Sequence, residues 1–202
     1  MHIAPVTLTG KHLRLEPLDV AHVPDLDYAC KDSPDGRRTI WRYLLDARIY
    51  RDRGMAGLVH ALLDRQAAGK DLPFAIIDLK SGNAVGTTRF MEIEIENRCV
   101  EIGTWIGLNF QREGLNLESK QLMLRHAFDT LKVMRVQFKI DYRNFASLDA
   151  IEHMRAYREG VLRNHIVLAD GTPRSSVYYS ILDSEWPAID LHLEALLARS
   201  GG

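Results

Sequence analysis

The residues of this sequence best suited to bind a charged ligand lie in a turn between a predicted strand and a predicted helix. The pattern of residues 99–107 predicts a strand. The turn that follows contains Gln111-Arg112-Glu113-Gly114-Leu115-Asn116 and leads into a long amphipathic run. A turn that leads into a helix directs several unpaired backbone N–H groups at one point, where the helix dipole also favours an anion. The spacing therefore predicts a site for a phosphorylated ligand.

The elements around this turn follow from hydrophobic periodicity. Strands are predicted over 12–16, 72–79, 84–95, 100–106, 135–141, 157–168 and 175–182. The spacing of Leu117, Leu124, Phe128 and Leu131 predicts a helix directly after the turn. Further helices are predicted after Asp19, over 49–68, over 145–154 and after Ser184. This order predicts an α/β or α+β fold with a mixed sheet.

Composition restricts the class of protein. A chain of 202 residues, 46% of them hydrophobic, is long enough for one sizeable core, so we expect a single domain over 1–202, with 184–202 as a C-terminal helix and tail. The net charge of −1 gives no basic excess for nucleic acid. No apolar run has signal-peptide or membrane-spanning length, so we expect a cytoplasmic protein that does not bind membranes. The histidines lack ligand spacing, and we expect no metal.

The ordered motifs resemble the GNAT acetyltransferases, and more narrowly their RimJ/RimL branch, which acetylates protein N-termini or other amines. The resemblance rests on Glu101-Ile102-Gly103 in a strand, Gln111-x-x-Gly114-x-Asn116 and Asn144-x-x-Ser147 at two helix starts, and Tyr178-Tyr179-Ser180-Ile181 in the last strand. It implies a mixed, mostly antiparallel central sheet of about six to seven strands flanked by helices.

The resemblance also implies a coenzyme A site. Backbone N–H groups of residues 112–116 would hold the diphosphate, Gly114 would permit close approach, and Asn116 would suit the N-cap of the helix. The strand before the turn would separate from its neighbour and leave a slot for the pantetheine arm. The implied coenzyme-binding residues are Trp105, Ile106, Gly107, Leu108, Gln111, Arg112, Glu113, Gly114, Leu115, Asn116, Asn144 and Ser147.

The chemistry implied by the family is direct attack of an amine on the acetyl carbonyl in a ternary complex. Glu101 is the candidate base, and its alternative is a solvated strand residue. Tyr178 and Tyr179 are candidate proton donors, but they project to opposite faces of their strand, so at most one can face the thioester. The alternative for each tyrosine is a core position, and for Asn144 and Ser147 it is helix capping.

The expected function is acetyl-CoA-dependent N-acetyl transfer to a primary amine, on a protein or peptide N-terminus or on a small amine. The alternatives are a succinyl-CoA-dependent transferase of the same fold and an acyl-CoA-binding sensor without turnover. An edge strand or the C-terminal helix is compatible with a homodimer.

Two residues depart from the family pattern. Glu113 places a carboxylate in the turn beside the expected diphosphate. Arg155 stands where relatives usually have glycine, and in a left-handed conformation it would cost about 1 kcal/mol relative to glycine. Of the two alternatives for Arg155, a shifted helix end is preferred over a contact with a coenzyme phosphate.

Overall fold

A computed structural model describes residues 3–111 and 114–200 of the protein, and eight strands in these ranges form a single sheet. The strands are β1 (Leu8–Thr9), β2 (Leu13–Pro17), β3 (Leu72–Asp78), β4 (Ala84–Glu94), β5 (Cys99–Ile106), β6 (Arg135–Asp141), β7 (Tyr157–Val167) and β8 (Pro173–Leu182). The helices are α1 (Val23–Ala29), α2 (Ala47–Ala67), α3 (Leu115–Arg125), α4 (Phe145–His153) and α5 (Trp186–Ser200).

The predicted mixed sheet flanked by helices is confirmed, with one strand more than expected. The additional strand is β1, which has two residues and pairs with β2 through Leu8 opposite Leu15 and Thr9 opposite Arg14. A segment this short shows no alternation, so the sequence pattern does not predict it.

One pairing in the sheet differs from all the others. The strand order is β1-β2-β3-β4-β5-β6-β8-β7, and every neighbouring pair is antiparallel except β5 and β6. These two run parallel and pair only from Cys99 opposite Arg135 to Glu101 opposite Gln137. Beyond Glu101, β5 continues on β4 and β6 continues on β8, so the sheet opens between them.

Each face of the sheet packs against its own set of helices. Successive strand residues point to opposite faces. On one face, Ile102, Phe138 and Tyr179 belong to a large core that also contains Leu124 of α3 and Leu193 of α5. On the other face, a second core is formed by strand and helix residues that include Ala75, Ile77, Trp105, Leu26, Met55 and Leu58. The open part of the sheet is therefore held between two packed layers.

The helix at the C-terminus is fixed to α3. Arg125 Nε donates to Asp190 Oδ1 at 2.9 Å, and the Trp186 indole N–H donates to Asp129 Oδ1 at 3.0 Å. The rings of Phe128 and Trp186 stack with centroids 5.4 Å apart. None of the helices in the described ranges is long and apolar enough to cross a membrane.

The end of α4 contradicts the preferred expectation for Arg155. The helix ends at His153, and Arg155 adopts a left-handed conformation with φ of 63°, its N–H donating to the Glu152 carbonyl at 2.9 Å. The helix end is not shifted; the arginine takes the conformation that glycine adopts without strain.

Candidate functional site

The opening between β5 and β6 contains a cavity of about 160 Å³, here called the inner cavity. Its walls include Glu101 and Thr104 of β5, Lys139 of β6 and Lys120 of α3. Asn116, Asn144 and Ser147 also line it, at the starts of α3 and α4. The inner cavity therefore lies where the sheet separates.

A wider groove of about 610 Å³, the outer groove, adjoins the inner cavity and shares Thr104, Asn116 and Asn144 with it. Its other wall is the segment 36–44 before α2, which contributes Arg37 and Arg38. Cations and uncapped helix N–H groups both attract anions. The two spaces together suit an elongated ligand with an anionic end in the groove.

Glu101 lies at the closed end of the opening, in the last parallel pair of the sheet. Its side chain is buried, and Oε2 accepts a hydrogen bond from Gln137 Nε2 at 2.9 Å and lies 3.1 Å from Lys139 Nζ. Among the described residues, no hydrogen bond is made to Oε1. The alternative of a solvated strand residue is wrong for Glu101, because the side chain is 4% exposed.

The start of α3 is formed by Gly114, which has φ of 94° and is the N-cap of the helix. No side chain caps this terminus in the described residues, so the prediction that Asn116 is the N-cap is wrong. Asn116 lies inside the first turn and lines both spaces instead. Leu115 is buried in the large core, which leaves its backbone N–H as the group that can meet a ligand.

The rest of the turn is only partly described. The Gln111 side chain donates to the Ile106 carbonyl at 3.0 Å and so fixes the turn to the end of β5. The predicted coenzyme residues Arg112 and Glu113 lie outside the described residues.

The predicted coenzyme residues from Trp105 to Leu108 have different surroundings. Trp105, Ile106 and Leu108 line the outer groove. Gly107 instead packs against α1, because a Cβ atom at this position would lie 2.1 Å from the Ala29 carbonyl oxygen. Glycine is therefore required at 107 by helix packing.

The start of α4 is capped by the side chain of its N-cap residue, Asn144. Asn144 Oδ1 accepts a hydrogen bond from the Ser147 N–H at 3.3 Å, as the capping alternative predicts. Both residues also line the two spaces, so capping and ligand contact are compatible here.

The two tyrosines have opposite surroundings, as predicted. Tyr179 is buried in the large core and donates to Glu152 Oε1 at 2.5 Å; burial and this hydrogen bond raise its pKa to about 12. Tyr178 lies on the face of Glu101, but its hydroxyl is 3.4 Å from His165 Nε2, and burial raises its pKa. Neither tyrosine is among the residues that line the inner cavity. The prediction of Tyr179 as a proton donor is therefore corrected to a core residue.

Sequence reasoning missed the cations of the inner cavity, which are Arg89, Lys120, Lys139 and Arg174. Lys120 is 5% exposed, and burial lowers its pKa to about 7. A signal for it exists in the sequence, because Lys120 is three residues after Leu117 and four before Leu124, on the apolar stripe of α3. Lys139 meets Glu101 only through strand register, which no local pattern reveals.

The side chains of two arginines hold the wall formed by the segment before α2. Both terminal nitrogens of Arg89 donate to the Asp46 carboxylate, at 2.7 and 3.1 Å. Arg174 is 3% exposed and donates to the carbonyls of Tyr43 at 3.2 Å and Lys139 at 2.9 Å. These bonds fix the segment that contains Tyr43 and Asp46 across the opening from α3.

The aromatic residues before and at the start of α2 separate into two groups. Trp41 and Tyr50 stack with ring centroids 4.1 Å apart and pack against the second core. Tyr43 lines both spaces, with the guanidinium groups of Arg42 and Arg143 each 5.9 Å from its ring. Tyr43 is therefore the aromatic residue of this group that faces the opening.

The polar groups around the opening suit an organic anion. In residues 3–111 and 114–200, no group of three or more His, Cys, Asp or Glu side chains could hold a metal ion. Lys120, by contrast, is a buried amine whose hydrogen bond within these ranges goes to Thr104, and the uncapped start of α3 lies one turn away. The residues present fit an acyl coenzyme with its diphosphate at α3.

Comparison with known proteins agrees with this geometry. The sequence profile of the Acetyltransferase (GNAT) domain matches residues 12–156. The chain belongs to the GNAT family of acetyltransferases. The matched range includes α3, the inner cavity residues from β4 to β6, and α4.

Two curated relatives match 108 residues of this GNAT chain, or 54% of its length. They are N-acetyltransferase p20 of Bacillus licheniformis, itself uncharacterized, at 27% identity, and YdaF of Bacillus subtilis (strain 168), a proposed ribosomal N-acetyltransferase, at 29%. The matched segment spans 61% of p20 and 58% of YdaF, so it covers about three fifths of these curated relatives.

Solved structures match nearly the whole chain. A proposed acetyltransferase from T. thermophilus has 36% identity and a TM-score of 0.85, covering 98% of this chain and 100% of its own. Mycobacterium smegmatis RimJ in complex with CoA-disulfide has 18% identity and a TM-score of 0.80, covering 95% and 94%, and shows the shared fold. The name of YdaF, which refers to ribosomal acetyl transfer, agrees with the predicted RimJ/RimL-like branch.

Proposed function

We infer that the protein is an acetyl-CoA-dependent N-acetyltransferase that acts on a primary amine. The observation that carries this inference is the opening between β5 and β6, with buried Glu101 at its closed end and the uncapped start of α3 beside its open end. Family membership supports the reaction type, and the RimJ complex named above supports coenzyme A as the ligand class.

Different residues would bind the two ends of the coenzyme. The N–H groups of α3, with Gln111 and Asn116 nearby, would hold the diphosphate end, and Thr104, Asn144 and Ser147 would flank the pantetheine arm. When bound, acetyl-CoA supplies an acetyl group as a reactive thioester. The narrow inner cavity would orient that group and exclude bulk water.

Glu101 would accept the proton of the attacking amine. Lys139 and Gln137 contact Oε2 and hold the carboxylate in one orientation, which leaves Oε1 for the amine or for one intervening water. The acceptor would enter past Tyr43 and Asp46. The name of YdaF supports a protein N-terminus as acceptor, and a small amine remains the other candidate class.

A transfer assay tests this proposal. The protein is mixed with acetyl-CoA and panels of peptides, polyamines and aminoglycosides, and free thiol is followed. We expect thiol release that depends on one amine class, and a fall in kcat of about 100-fold or more in Glu101→Gln. The matched control is Glu96→Gln, which changes an exposed glutamate in the turn after β4. Coenzyme binding without thiol release for any amine would identify a sensor instead.

A succinyl donor is a second candidate, and the charge of the inner cavity favours it. Arg89, Lys120, Lys139 and Arg174 line it against Asp46, Glu101 and Asp141. The three hydrogen bonds that Arg174 makes within the described residues go to uncharged oxygens, so a carboxylate on the acyl group would complete an ion pair. Faster thiol release from succinyl-CoA than from acetyl-CoA, reversed in Arg174→Met, would establish this donor.

A further inference from the structure

α3 places a single lysine on its buried side, at a point where the helix meets the opening in the sheet. Lys120 Nζ donates to Thr104 Oγ1, and in the described residues no carboxylate lies within ion-pair distance of it. Thr104 lies three residues beyond Glu101, in the part of β5 that no longer pairs with β6. The amine therefore lies in the opening itself.

The amine has unused hydrogen-bonding capacity. Thr104 Oγ1 also lies 2.7 Å from Thr88 Oγ1, so the threonine pair occupies one side of the lysine. An ammonium group has three N–H donors, and the described residues supply an acceptor for only one of them. A buried donor without a partner is costly, so a ligand acceptor in the cavity would be stabilising.

The reaction proposed above needs a proton donor that the tyrosines do not supply. Tyr179 donates to Glu152 in the large core, and Tyr178 contacts His165 outside the inner cavity. Tyr43 does line the cavity, but it belongs to the segment before α2, on the wall opposite α3. Lys120 is on the coenzyme side, one turn after Asn116.

We propose that Lys120 is the acid that protonates the leaving sulfur of coenzyme A, an inference that rests on the proposed transferase function. As the amine nitrogen bonds to the acetyl carbon, the carbon–sulfur bond breaks and its electron pair stays on sulfur. A proton moves from Lys120 Nζ to that sulfur, giving the free thiol and a neutral lysine. The proton of the attacking amine goes to Glu101, so each proton has a separate destination.

The charge state of Lys120 links this role to ligand binding. Burial holds its pKa at about 7, so the amine is largely neutral in the empty cavity above that pH. An anionic coenzyme at the start of α3 favours the ammonium form and makes the lysine a proton donor. Other charged groups around the same cavity are Asp46, Arg89, Glu101, Lys139, Asp141 and Arg174.

Proton uptake on coenzyme binding tests the first half of the proposal without turnover. Calorimetric titration with CoA at pH 8, in two buffers of different ionisation enthalpy, should show uptake of a large fraction of a proton by the wild type and none by Lys120→Met. The control Lys70→Met removes an exposed lysine and should behave as wild type. Equal proton uptake in wild type and Lys120→Met would overturn the proposal.

Kinetics of the same proteins test the second half. We expect Lys120→Met to lower kcat about 100-fold, with the Kd for CoA within a few-fold of wild type, and to abolish the fall in kcat at high pH. Lys120→Arg, which keeps the charge but does not release a proton, should bind CoA as the wild type does and show the same low kcat as Lys120→Met.

The outcomes separate the two proposals. If the wild type transfers acetyl and Lys120→Met has the same kcat, the proton-donor role of Lys120 is wrong, but the transferase function stands. A wild type that takes up protons with CoA but acetylates no amine contradicts the transferase function, and the proton-donor role with it.

Discussion

The helices α3 and α4 both begin at the opening in the sheet, yet their first turns are completed in different ways. Asn144 caps α4 with its own side chain, whereas Gly114 begins α3 without a side-chain cap from the described residues. Glu118, in the first turn of α3, points away and accepts hydrogen bonds from the His12 N–H at 3.2 and 3.1 Å. The first turn of α4 therefore has its own side-chain cap, whereas the N–H groups at the start of α3 are available to an anion.

The same contrast extends along the inner sides of the two helices. α3 carries buried Lys120 one turn further on, while α4 contributes the uncharged Asn144 and Ser147 to the opening. On the proposed function, α3 would therefore supply charge to the ligand, and α4 would supply uncharged polar groups that line the opening.

The largest effect on coenzyme affinity is expected from Gly114→Ala. Gly114 has φ of 94°, and a side chain there strains the backbone by about 1–3 kcal/mol, which displaces the N–H groups of α3. We expect the Kd for CoA, measured by calorimetry, to rise about 10-fold or more. Gly171→Ala is the control, since Gly171 also has positive φ, 85°, but lies in the β7–β8 turn and lines neither the inner cavity nor the outer groove. Equal loss of affinity in both variants would contradict a specific role for the α3 start.

The buried Lys120 predicts a pH dependence of the free energy of unfolding. The pKa of Lys120 is about 7 in the folded protein and near 10.5 when unfolded, so the unfolded chain binds the extra proton between these values. The free energy of unfolding should therefore gain a contribution that rises from pH 7 to pH 10.5. Denaturant titrations of Lys120→Met should show a stability advantage over wild type that is largest near pH 7 and shrinks as the pH rises. A constant difference would show that Lys120 is not desolvated.

Substitutions at Asn144 separate its helix-capping role from its contact with the ligand. Loss of the cap in Asn144→Ala should lower the free energy of unfolding by about 1 kcal/mol, and Asn144→Asp should keep the cap. Because Asp adds a negative charge to the outer groove, Asn144→Asp should bind CoA less tightly than wild type while remaining equally stable. If Asn144→Asp loses stability as Asn144→Ala does, the capping role is wrong.

The smallest effect concerns the other end of α4. Arg155→Gly should raise the free energy of unfolding by up to about 1 kcal/mol, because glycine adopts the left-handed conformation without strain. Arg155→Ala retains a side chain and should give no such gain. A weaker affinity for CoA in Arg155→Gly would instead support the phosphate contact.

Much of the fold is predictable from the sequence because its periodic segments are long. Strand β6 has the predicted bounds, 135–141, and α3 begins just after the predicted turn. Gly54 has φ of 65° and interrupts α2, near the start of the helix predicted over 49–68. Two-residue β1 carries no pattern and was not predictable.

The candidate site is predictable only where a local motif positions it. The start of α4 at Asn144 follows from turn chemistry, whereas α3 begins two residues before the predicted N-cap Asn116. The contact of Glu101 with Lys139 depends on the pairing of distant strands. Tyr178 and Tyr179 were expected on opposite faces, but which face meets the opening is set by the register of β6 on β8. Lys120 was detectable as a charged residue within an apolar stripe, and its partner Thr104 was not.

The most direct test of the account is hydrogen exchange followed by mass spectrometry on the full chain, with and without CoA. Binding should slow exchange of the backbone N–H groups of Leu115, Asn116 and Leu117, which have no capping partner among the described residues. The N–H of Ser147, already bonded to Asn144, should change little. CoA binding that protects the start of α4 and leaves the start of α3 unchanged would contradict the assignment of the anion site to α3.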